Sequence, residues 1–552
     1  MLKKYIADLK LEFTGYNGSK LTKDVMAGIT VAAVSLPLAL AFSVSCGADA
    51  AAGLITAIIS GLVIGALSGG SFQISGPTGT MTAVMLMVAA RYGMQGVFVA
   101  TLLAGIIRLI CGIFRLGKLV NLIPMPVVTG FTSGIAIIIA LGQVDSFFGT
   151  HSVGENTLQK LASYATVGFH IDYRPMIIGL IVIAVMLIYP KKWNNKLSSS
   201  LVSIIVAGVA CKLLAFDIGM VGAIPRTLLP DNRLNFVAIN LEMITNLIAP
   251  AFSIAALAMI ETLLCGTSAA RMKNEEFDAD RELVAQGIGN IIIPIFGGIP
   301  STAALARTSV AIRAGSETRL TGIFHSVVLL LCMFLFGPVI AQLPLAALSG
   351  VLIVTAWRMN DWQNIKYYFS HKLYGAIAKY LITMLATVVF DLTIAIIIGI
   401  MFSMFLFVKH SANIQISVSD VDTDKLTGID ETLKQKLDKT SVVYITGPLF
   451  FATADKLTQC FKSLQNQGYI DESGNLCACD RVLFSMRGVP TIDTTGAAAL
   501  LEVCQKLRSN GINVALCGVQ DTAKPMLAQI GLAQELGEQN FYWSVDRALL
   551  SN

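Results

Sequence analysis

Two short stretches of the sequence combine helix-breaking residues with hydroxyl side chains. They are Ser75-Gly76-Pro77-Thr78-Gly79-Thr80 and Gly297-Gly298-Ile299-Pro300-Ser301-Thr302, and each leads into an apolar run too short to cross a bilayer. A helix that begins after such a break presents unpaired backbone N–H groups and the positive end of its dipole. Two half-helices whose N-termini face each other would therefore bind an anion. The alternative is that these residues only kink two packed helices. The hydroxyl donors of the predicted anion site are Thr78, Thr80, Ser301 and Thr302.

An arginine lies inside the second short apolar run. The side chain of Arg307 is expected to lean back toward the N-terminus of its half-helix. A buried arginine is costly unless it is paired, and a bound carboxylate or sulfate would pair it through two N–H groups. Arg307 is therefore a candidate substrate-binding residue. The alternatives are an ion pair with Glu261 and an orientation toward the inner face near Arg313.

Glu261 is the other ionisable residue deep in an apolar run, Ala258-Met259-Ile260-Glu261-Thr262-Leu263-Leu264-Cys265. Leaving its carboxylate ionised there costs about 2.5 to 3.5 kcal/mol on insertion scales, so a proton or a cation partner is expected. If a proton neutralises Glu261 only when an anion is bound nearby, the two ligands are linked and symport follows. Glu261 is therefore a candidate proton-coupling residue. The alternative is a structural ion pair or a hydrogen bond to a neighbouring span.

The composition places these residues in a membrane protein. Of 552 residues, 55% are hydrophobic and 14% are charged, which is unlike a soluble protein of this length. The net charge of +5 is explained by basic loops facing anionic lipid, so nucleic acid binding is not indicated. The five histidines show neither zinc spacing nor a nucleophile partner, so no metal, cofactor or enzymatic activity is predicted.

The apolar runs predict about fourteen membrane spans, of which the two short runs are half-helices. The runs lie near residues 24–44, 51–69, 78–90, 94–114, 125–142, 175–189, 200–215, 247–268, 283–297, 302–314, 319–337, 343–358, 375–389 and 391–409.

Basic residues in alternate loops set the predicted orientation, because cytoplasmic loops collect Lys and Arg. Residues 1–23 and the tail are then cytoplasmic, and residues 24–410 form a transport domain in the cell (inner) membrane. The predicted cytoplasmic loops contain Arg115 and Lys118, then Lys191, Lys192 and Lys196, then Arg271, Lys273 and Arg281, then Arg313 and Arg319, then Arg358, Lys366 and Lys372.

The two helix-breaking stretches occupy matching places in a repeat. Pro77 and Pro300 lie about 223 residues apart, and the same offset carries Asp24, at the first run, to Leu247, at the eighth. Two repeats of seven spans are therefore predicted, near residues 24–215 and 247–410. An odd number of spans inverts the second copy, so the two half-helices should meet near the middle of the bilayer.

The tail predicts a linker over residues 411–440 and a small α/β domain over residues 441–552. Asp493 or Thr494 is expected to cap a helix that begins near residue 497. Alternatively, the hydroxyl of Thr494 or Thr495 accepts a regulatory phosphate at that helix end. The predicted strands lie at residues 442–445, 482–485 and 513–517, and the predicted helices lie near residues 453–464 and 497–509 and from Thr522.

These residues resemble the SulP anion transporters, the sulfate permease group, and the tail is similar to the STAS domains of anti-sigma factor antagonists. The resemblance implies a core domain of spans 1–4 and 8–11, a gate domain of the other spans, homodimerisation and an elevator-like movement. It also implies a substrate site between the third and tenth spans, with Phe42, Gly79 and Ala303 beside the residues named above. The motifs that carry it are residues 24–30, 36–42, 75–79, 261–264, 286–290 and 297–308.

The resemblance also bears on coupling. Sodium-bicarbonate members tend to have Asp followed by Thr where Glu261 and Cys265 stand, and they lack an arginine like Arg307. Members with Glu and Arg resemble proton-coupled carriers of dicarboxylates or sulfate. Ser301-Thr302-Ala303-Ala304 departs from the Ala-Thr-Gly-Ala of many members, and Asp493-Thr494-Thr495-Gly496 replaces Asp-Ser-Ser-Gly in the tail.

The sequence therefore predicts a secondary active transporter of small inorganic or organic anions, of the dicarboxylate or sulfate type. Proton-coupled symport is expected, with sodium as the less favoured coupling ion. The alternatives are a sodium-coupled bicarbonate transporter, an anion channel, and a membrane sensor that signals through the STAS-like domain. A cytoplasmic protein partner for that domain is also expected.

Overall fold

A computed structural model describes residues 2–117, 124–154, 157–190, 198–390, 392–421, 437, 439–457, 459 and 480–551. The chain folds as two compact units, Met1–Met401 and Phe402–Asn552. Four of the basic loop residues, Lys118, Lys191, Lys192 and Lys196, lie outside the described residues, as does most of the helix predicted near residues 453–464.

The chain up to residue 411 is helical apart from its loops and two very short strands. The helices are α1 (Leu2–Glu12), α2 (Gly18–Ser45), α3 (Ala50–Leu67), α4 (Gly79–Ile113), α5 (Met125–Gly142), α6 (Val144–Phe148), α7 (Thr157–Val167), α8 (Tyr173–Ile188), α9 (Ser199–Leu213), α10 (Leu241–Lys273), α11 (Ala279–Ile292), α12 (Leu305–Arg313), α13 (Leu320–Ala341), α14 (Leu345–Met359), α15 (Trp362–Ser370), α16 (Tyr374–Val389) and α17 (Leu392–Ser411). Short 3-10 helices cover Phe236–Ala238 and Ile293–Phe296.

Apolar composition and length make this part of the chain a polytopic membrane protein. Within the described residues, 6 helices are long and apolar enough to cross a membrane. Shorter apolar helices occupy other predicted runs, and every run contains a helix, although the number of spans stays a prediction. The 6 long segments are Gly18–Ser45, Ala50–Leu67, Val84–Ile113, Met125–Phe148, Leu241–Lys273 and Leu320–Ala341.

The helices pack in two groups. The core group contains α2, α3, α4, α10, α11, α12 and α13, and the gate group contains α5, α8, α9, α14 and α16. Helix α17 joins the gate group, because Gly399 packs against Thr383 of α16 and Val127 of α5. The two groups meet where α14 and α9 contact α2 and where α4 contacts α5. This division agrees with the core and gate domains that the resemblance implied.

The first half-helix begins where the sequence predicts. Thr78 is the N-cap residue, and α4 runs from Gly79 to Ile113 with one interruption at Gly93. The φ of Gly93 is +63°, a left-handed conformation that glycine adopts at little cost. The half-helix and the following span are therefore two helical segments that join at a kink at Gly93.

The second half-helix begins three residues later than predicted. Thr302–Ala303 form a short strand, β2, which pairs antiparallel with β1, Ser75–Gly76. Ser75 lies opposite Ala303, and Gly76 lies opposite Thr302. The prediction of a helix from residue 302 was wrong, because these backbone groups pair with the first helix break and α12 starts only at Leu305.

A buried carboxylate joins α2 to the segment between α12 and α13. Asp24 is fully buried and accepts hydrogen bonds from the Tyr16 hydroxyl at 2.9 Å and the Thr321 hydroxyl at 2.9 Å. It also accepts from the backbone N–H groups of Glu317 at 2.7 Å and Thr318 at 3.0 Å, and from the Thr318 hydroxyl at 2.6 Å. These donors explain how an ionisable side chain is buried at the start of the first span.

Replacing Asp24 with alanine should destabilise this unit strongly. Five donors would lose their common acceptor, and hydrogen bonds to a charged group contribute roughly 1.5 to 3 kcal/mol each. We expect a loss of at least about 3 kcal/mol, seen as a lower melting temperature of the purified protein in detergent. The melting temperature of Asp24→Asn, which keeps one carbonyl oxygen, should lie between those of the wild type and Asp24→Ala. An Asp24→Ala protein that melts with the wild type would contradict this assignment.

The tail contains a five-stranded sheet in the order β3-β4-β5-β6-β7, in which β3 is antiparallel to β4 and the other pairs are parallel. Strand β3 lies inside the predicted linker, so the sheet begins earlier than the sequence analysis placed it. Ile416 and Val418 pack on the sheet core while the residues between them are exposed, which is a strand period in a mostly polar segment. The strands are β3 (Gln415–Asp420), β4 (Thr440–Thr446), β5 (Arg481–Gly488), β6 (Asn513–Cys517) and β7 (Phe541–Tyr542), and the described helices are Thr494–Ser509, Lys524–Gln529, Leu532–Leu536 and Val545–Leu550.

Candidate functional site

The antiparallel pairing of β1 with β2 brings the predicted site residues together. Thr78 and Thr80 follow β1 directly, and Ser301 precedes β2, which is Thr302–Ala303. Each of these hydroxyl-bearing residues is almost completely buried. Residues more than two hundred positions apart in the chain therefore form one polar cluster inside the core group, which we call the crossover.

Glu261 reaches the crossover from α10. The Thr78 hydroxyl donates to Glu261 Oε2 at 3.0 Å, and the Thr80 hydroxyl donates to the same oxygen. The two threonine hydroxyl oxygens lie 2.8 Å apart. The other carboxylate oxygen accepts no hydrogen bond from the described residues, and the side chain is only partly buried. The sequence left open a structural ion pair or a hydrogen bond for Glu261. The structure shows hydrogen bonds, to the segment that contains Thr78 and Thr80.

Arg307 is 1% exposed and lies in the first turn of α12. One of its terminal nitrogens, Nη2, donates to the carbonyl oxygen of Pro77, in the opposite helix break. Its Nε and Nη1 groups have no hydrogen-bond partner among the described residues. Nη1 lies against Gly76, where a Cβ atom would collide with it. Two nitrogens of this buried guanidinium thus lack an acceptor in the part of the chain that the structure describes.

The alternative roles considered for Arg307 are not found. In the described part of the chain it forms no ion pair with Glu261, and its burial excludes an orientation toward the aqueous inner face. Nε and Nη1 donate from different edges of the guanidinium, so an oxyanion could accept from either of them.

Phe42 and Gly79 are in contact at the start of α4. A Cβ atom on Gly79 would lie 2.9 Å from Cε1 of Phe42 and against Ile139 of α5. The phenyl ring therefore lies beside the two threonines, and a gate residue closes the same place. The location suits a pocket wall, and the contact of Phe42 with substrate stays a prediction.

The hydroxyl donors on the second helix break differ in their availability. The Thr302 hydroxyl lies 2.6 Å from the Thr262 hydroxyl and donates to Ala258 O at 3.2 Å, and the Ala303 amide donates to the Thr262 hydroxyl at 3.3 Å. Both residues are therefore held against α10. The Ser301 hydroxyl is buried and has no partner, so it is the available donor on this side.

Several residues at the crossover were not chosen as site residues from the sequence. Asn290 of α11 accepts from Ser301 N at 2.8 Å and donates to Ser301 O at 3.0 Å. Gln286, one turn earlier, donates to the Ser75 hydroxyl at 2.8 Å. Arg108 of α4 donates to Ser301 O at 2.9 Å. The signal in the sequence is a polar or charged side chain inside an apolar run.

Buried polar atoms without partners concentrate in the core group. Where the structure describes side chains, no such atom belongs to the gate helices α5, α8, α9, α14 or α16. A buried unpaired polar atom is costly, so this distribution marks the core group as the place for water or a polar ligand. The atoms are Ser35 Oγ, Gln73 Oε1, Arg108 Nη2, Gln286 Oε1, Ser301 Oγ, Arg307 Nε and Nη1, Ser316 Oγ and both ring nitrogens of His325.

A small cavity of about 60 Å³ lies at the start of the second helix break, beside Gly297. It is lined by Asp49 and Ala52 near the start of α3, Met94 and Phe98 of α4, and Pro230 and Asn232 of the loop before α10. The cavity carries an acidic residue and no cationic one, so it does not suit an anion. No group of three or more metal-ligating side chains occurs among the residues that the structure describes.

The tail contains the predicted helix cap. Asp493 is the N-cap residue of Thr494–Ser509 and accepts from Gly496 N at 2.8 Å and Phe451 N at 3.0 Å. Thr494 and Thr495 are exposed in the first turn, and their phosphorylation stays a prediction. Burial raises the pKa of the Cys504 thiol to about 12, so this thiol remains protonated at neutral pH.

A core group whose two helix breaks pair with each other, a gate group of apolar helices and an α/β tail define a polytopic membrane transporter with a C-terminal α/β domain. A model of the sulfate permease family matches residues 21–382, and a model of the STAS domain matches residues 431–548. The chain therefore belongs to the sulfate permease family of anion transporters, and it ends in a STAS domain.

Named relatives and solved structures agree with this assignment. YvdB of Bacillus subtilis, whose name assigns it provisionally to sulfate transport, is 30% identical over 96% of this chain and 97% of its own length. The bicarbonate transporter BicA of a Picosynechococcus strain is 27% identical over 98% of this chain and 95% of its own length. The murine anion transporter Slc26a9 in its inward-facing state shares the fold, with a TM-score of 0.81, 16% identity and coverage of 98% of this chain and 93% of that chain. The transmembrane domain of BicA aligns with a TM-score of 0.63 and 27% identity, over 70% of this chain and 98% of its own.

Proposed function

We propose that the protein is a proton-coupled symporter of a small divalent anion, either a dicarboxylate or sulfate, which binds at the crossover. The observation that carries this proposal is the pair of unpartnered N–H groups on buried Arg307 beside Glu261, Thr78 and Thr80. An oxygen of a carboxylate or sulfate could accept from either of these donors, and the Ser301 hydroxyl supplies a further one.

The hydrogen bonds of Glu261 support a mechanism for coupling proton binding to anion binding. An ionised Glu261 accepts only, so it consumes the hydroxyl hydrogens of both Thr78 and Thr80. When Glu261 is protonated, its own O–H donates to one threonine oxygen, and a threonine hydrogen becomes free to face the substrate. Protonation also removes a negative charge that would repel the anion. Proton and anion therefore bind cooperatively, which is the thermodynamic condition for symport.

Sodium-coupled bicarbonate transport is the second candidate. The oxygens of Glu261, Thr78 and Thr80 converge at hydrogen-bond distances, and such a set of oxygens suits a hard cation. The 27% identity to BicA, which is named as a bicarbonate transporter, also favours it. The unsatisfied guanidinium of Arg307 favours the divalent anion instead.

We further propose that the protein works as a homodimer in the cell (inner) membrane, and that the core group moves against the gate group like an elevator. The N-terminus and the STAS domain lie in the cytoplasm in this proposal. The exposed Thr494 and Thr495 are then accessible to a kinase or to a cytoplasmic protein partner.

Counterflow in proteoliposomes tests the function directly. We expect labelled succinate, fumarate or sulfate to exchange without sodium, and an inward proton gradient to drive accumulation. Bicarbonate exchange that requires sodium would support the second candidate. Currents far above about 10³ charges per second per protein would identify a channel, and the absence of any flux would indicate a sensor.

A further inference from the structure

Arg108 is a buried cation that the proposed mechanism does not use. It lies in α4 with 0% exposure. Its Nε donates to Ala104 O at 3.3 Å and its Nη1 to Ser301 O at 2.9 Å, while Nη2 has no partner. Both acceptors are neutral backbone carbonyls, and no carboxylate pairs with Arg108 in the described part of the chain. Burying an unpaired positive charge in a membrane-spanning unit costs free energy, so we expect Arg108 to have a function.

Hydrogen bonding to Ser301 does not supply that reason. Ser301 O also accepts from Asn290 Nδ2 at 3.0 Å, and Asn290 Oδ1 accepts from Ser301 N at 2.8 Å. A neutral side chain therefore already holds both backbone groups of Ser301. What Arg108 adds to this arrangement is its charge.

The two buried arginines are arranged crosswise. Arg307, which follows the second helix break, donates to the carbonyl of Pro77 in the first. Arg108, which follows the first break, donates to the carbonyl of Ser301 in the second. The two guanidiniums thus bind opposite helix breaks, and each keeps at least one N–H group without a partner among the described residues.

We propose that Arg108 is the second cationic residue of the anion site and sets its preference for divalent over monovalent anions. It acts as a positioning residue, through the backbone of Ser301 and through its charge, and does not itself contact the substrate. The inference rests on the proposed function. Coulomb energy is proportional to the charge of the anion. Loss of Arg108 therefore reduces the binding free energy of a divalent anion by twice the amount that it reduces that of a monovalent anion.

The test compares Arg108→Gln and Arg108→Lys in proteoliposomes. The probes are labelled sulfate and succinate as divalent anions, and formate as a monovalent competitor. For Arg108→Gln we expect the inhibition constant of formate to rise about tenfold and the KM of the divalent anion to rise roughly a hundredfold, with little change in kcat. Arg108→Lys keeps the charge and should stay within about threefold of the wild type.

Arg358→Gln is a control for the loss of a guanidinium outside the core group. Arg358 of α14 also donates to a backbone carbonyl, Met186 O at 2.9 Å, but it is exposed and lies in the gate group. Its replacement should leave the ratio of divalent to monovalent affinity unchanged.

Three results would overturn the inference: wild-type affinities in Arg108→Gln, equal losses for both kinds of anion, or a lysine variant as impaired as the glutamine variant. If Arg108→Gln does not fold, Arg108→Met supplies a second neutral side chain, and failure of both to fold would make the residue structural. A wild-type protein that transports no divalent anion would refute the proposed function, whereas a transporting wild type with unaffected variants would refute this inference alone.

Discussion

Arg307→Ala is expected to weaken the binding of sulfate or succinate by about 3 to 4 kcal/mol, or roughly two to three orders of magnitude. The reason is the pair of buried N–H groups, Nε and Nη1, that the protein itself leaves unsatisfied. Removing a buried charge without a carboxylate partner also removes its desolvation cost, so we expect only a small fall in melting temperature.

Binding and stability should be measured on the same preparations. Equilibrium binding of labelled anion by the purified protein gives the affinity, and thermal melting in detergent gives the stability. Arg307→Lys keeps a charge but replaces the planar guanidinium with a single ammonium group, so its affinity should fall between those of the wild type and the alanine variant. Equal affinities of the wild type and Arg307→Ala would remove Arg307 from the site.

Glu261→Gln should abolish uptake driven by a pH gradient and leave anion exchange in place. The amide of glutamine donates and accepts like a protonated carboxyl, so the site remains in its anion-binding form and cannot release a proton. The wild type should accumulate anion about tenfold per unit of pH gradient for each coupled proton. The variant should equilibrate without accumulation.

Glu282→Gln provides a control with a second buried carboxylate of the core group. Glu282 is fully buried and accepts from the Ser68 hydroxyl at 2.6 Å, Gly69 N at 2.8 Å and Gln286 Nε2 at 2.9 Å, and among the described residues it has no hydrogen bond with Thr78 or Thr80. Its replacement should lower stability and preserve the response to pH. An unchanged gradient response in Glu261→Gln would show that the proton is carried elsewhere.

The positions of the two helix breaks were predictable because glycine and proline at matching repeat positions leave few alternatives. The antiparallel strand pairing between the two breaks was not predictable. Thr302 and Ala303 look like the first turn of a helix in the sequence, and only the facing Ser75–Gly76 makes them a strand. The sequence likewise did not show that the Thr302 hydroxyl forms hydrogen bonds with Thr262 and Ala258, which occupy it in place of a ligand.

Glu261 and Arg307 could be chosen from the sequence because a charge inside an apolar run is rare. Arg108 satisfied the same criterion, but it lies outside the breaks and its link to the site exists only through the Ser301 carbonyl. Helix α1 was also missed, because its short amphipathic segment precedes the first apolar run. Tertiary contacts such as the ion pair of Glu12 with Arg319, at 2.7 Å, hold it against the unit.

The two-residue ladder between Ser75–Gly76 and Thr302–Ala303 also constrains biosynthesis. At about 5 to 20 residues per second, the ribosome needs roughly 11 to 45 seconds to pass from the first strand to the second. During that time the backbone groups of Ser75–Gly76 lack the partners that Thr302–Ala303 later provide. The crossover is therefore complete only after the second repeat has been made.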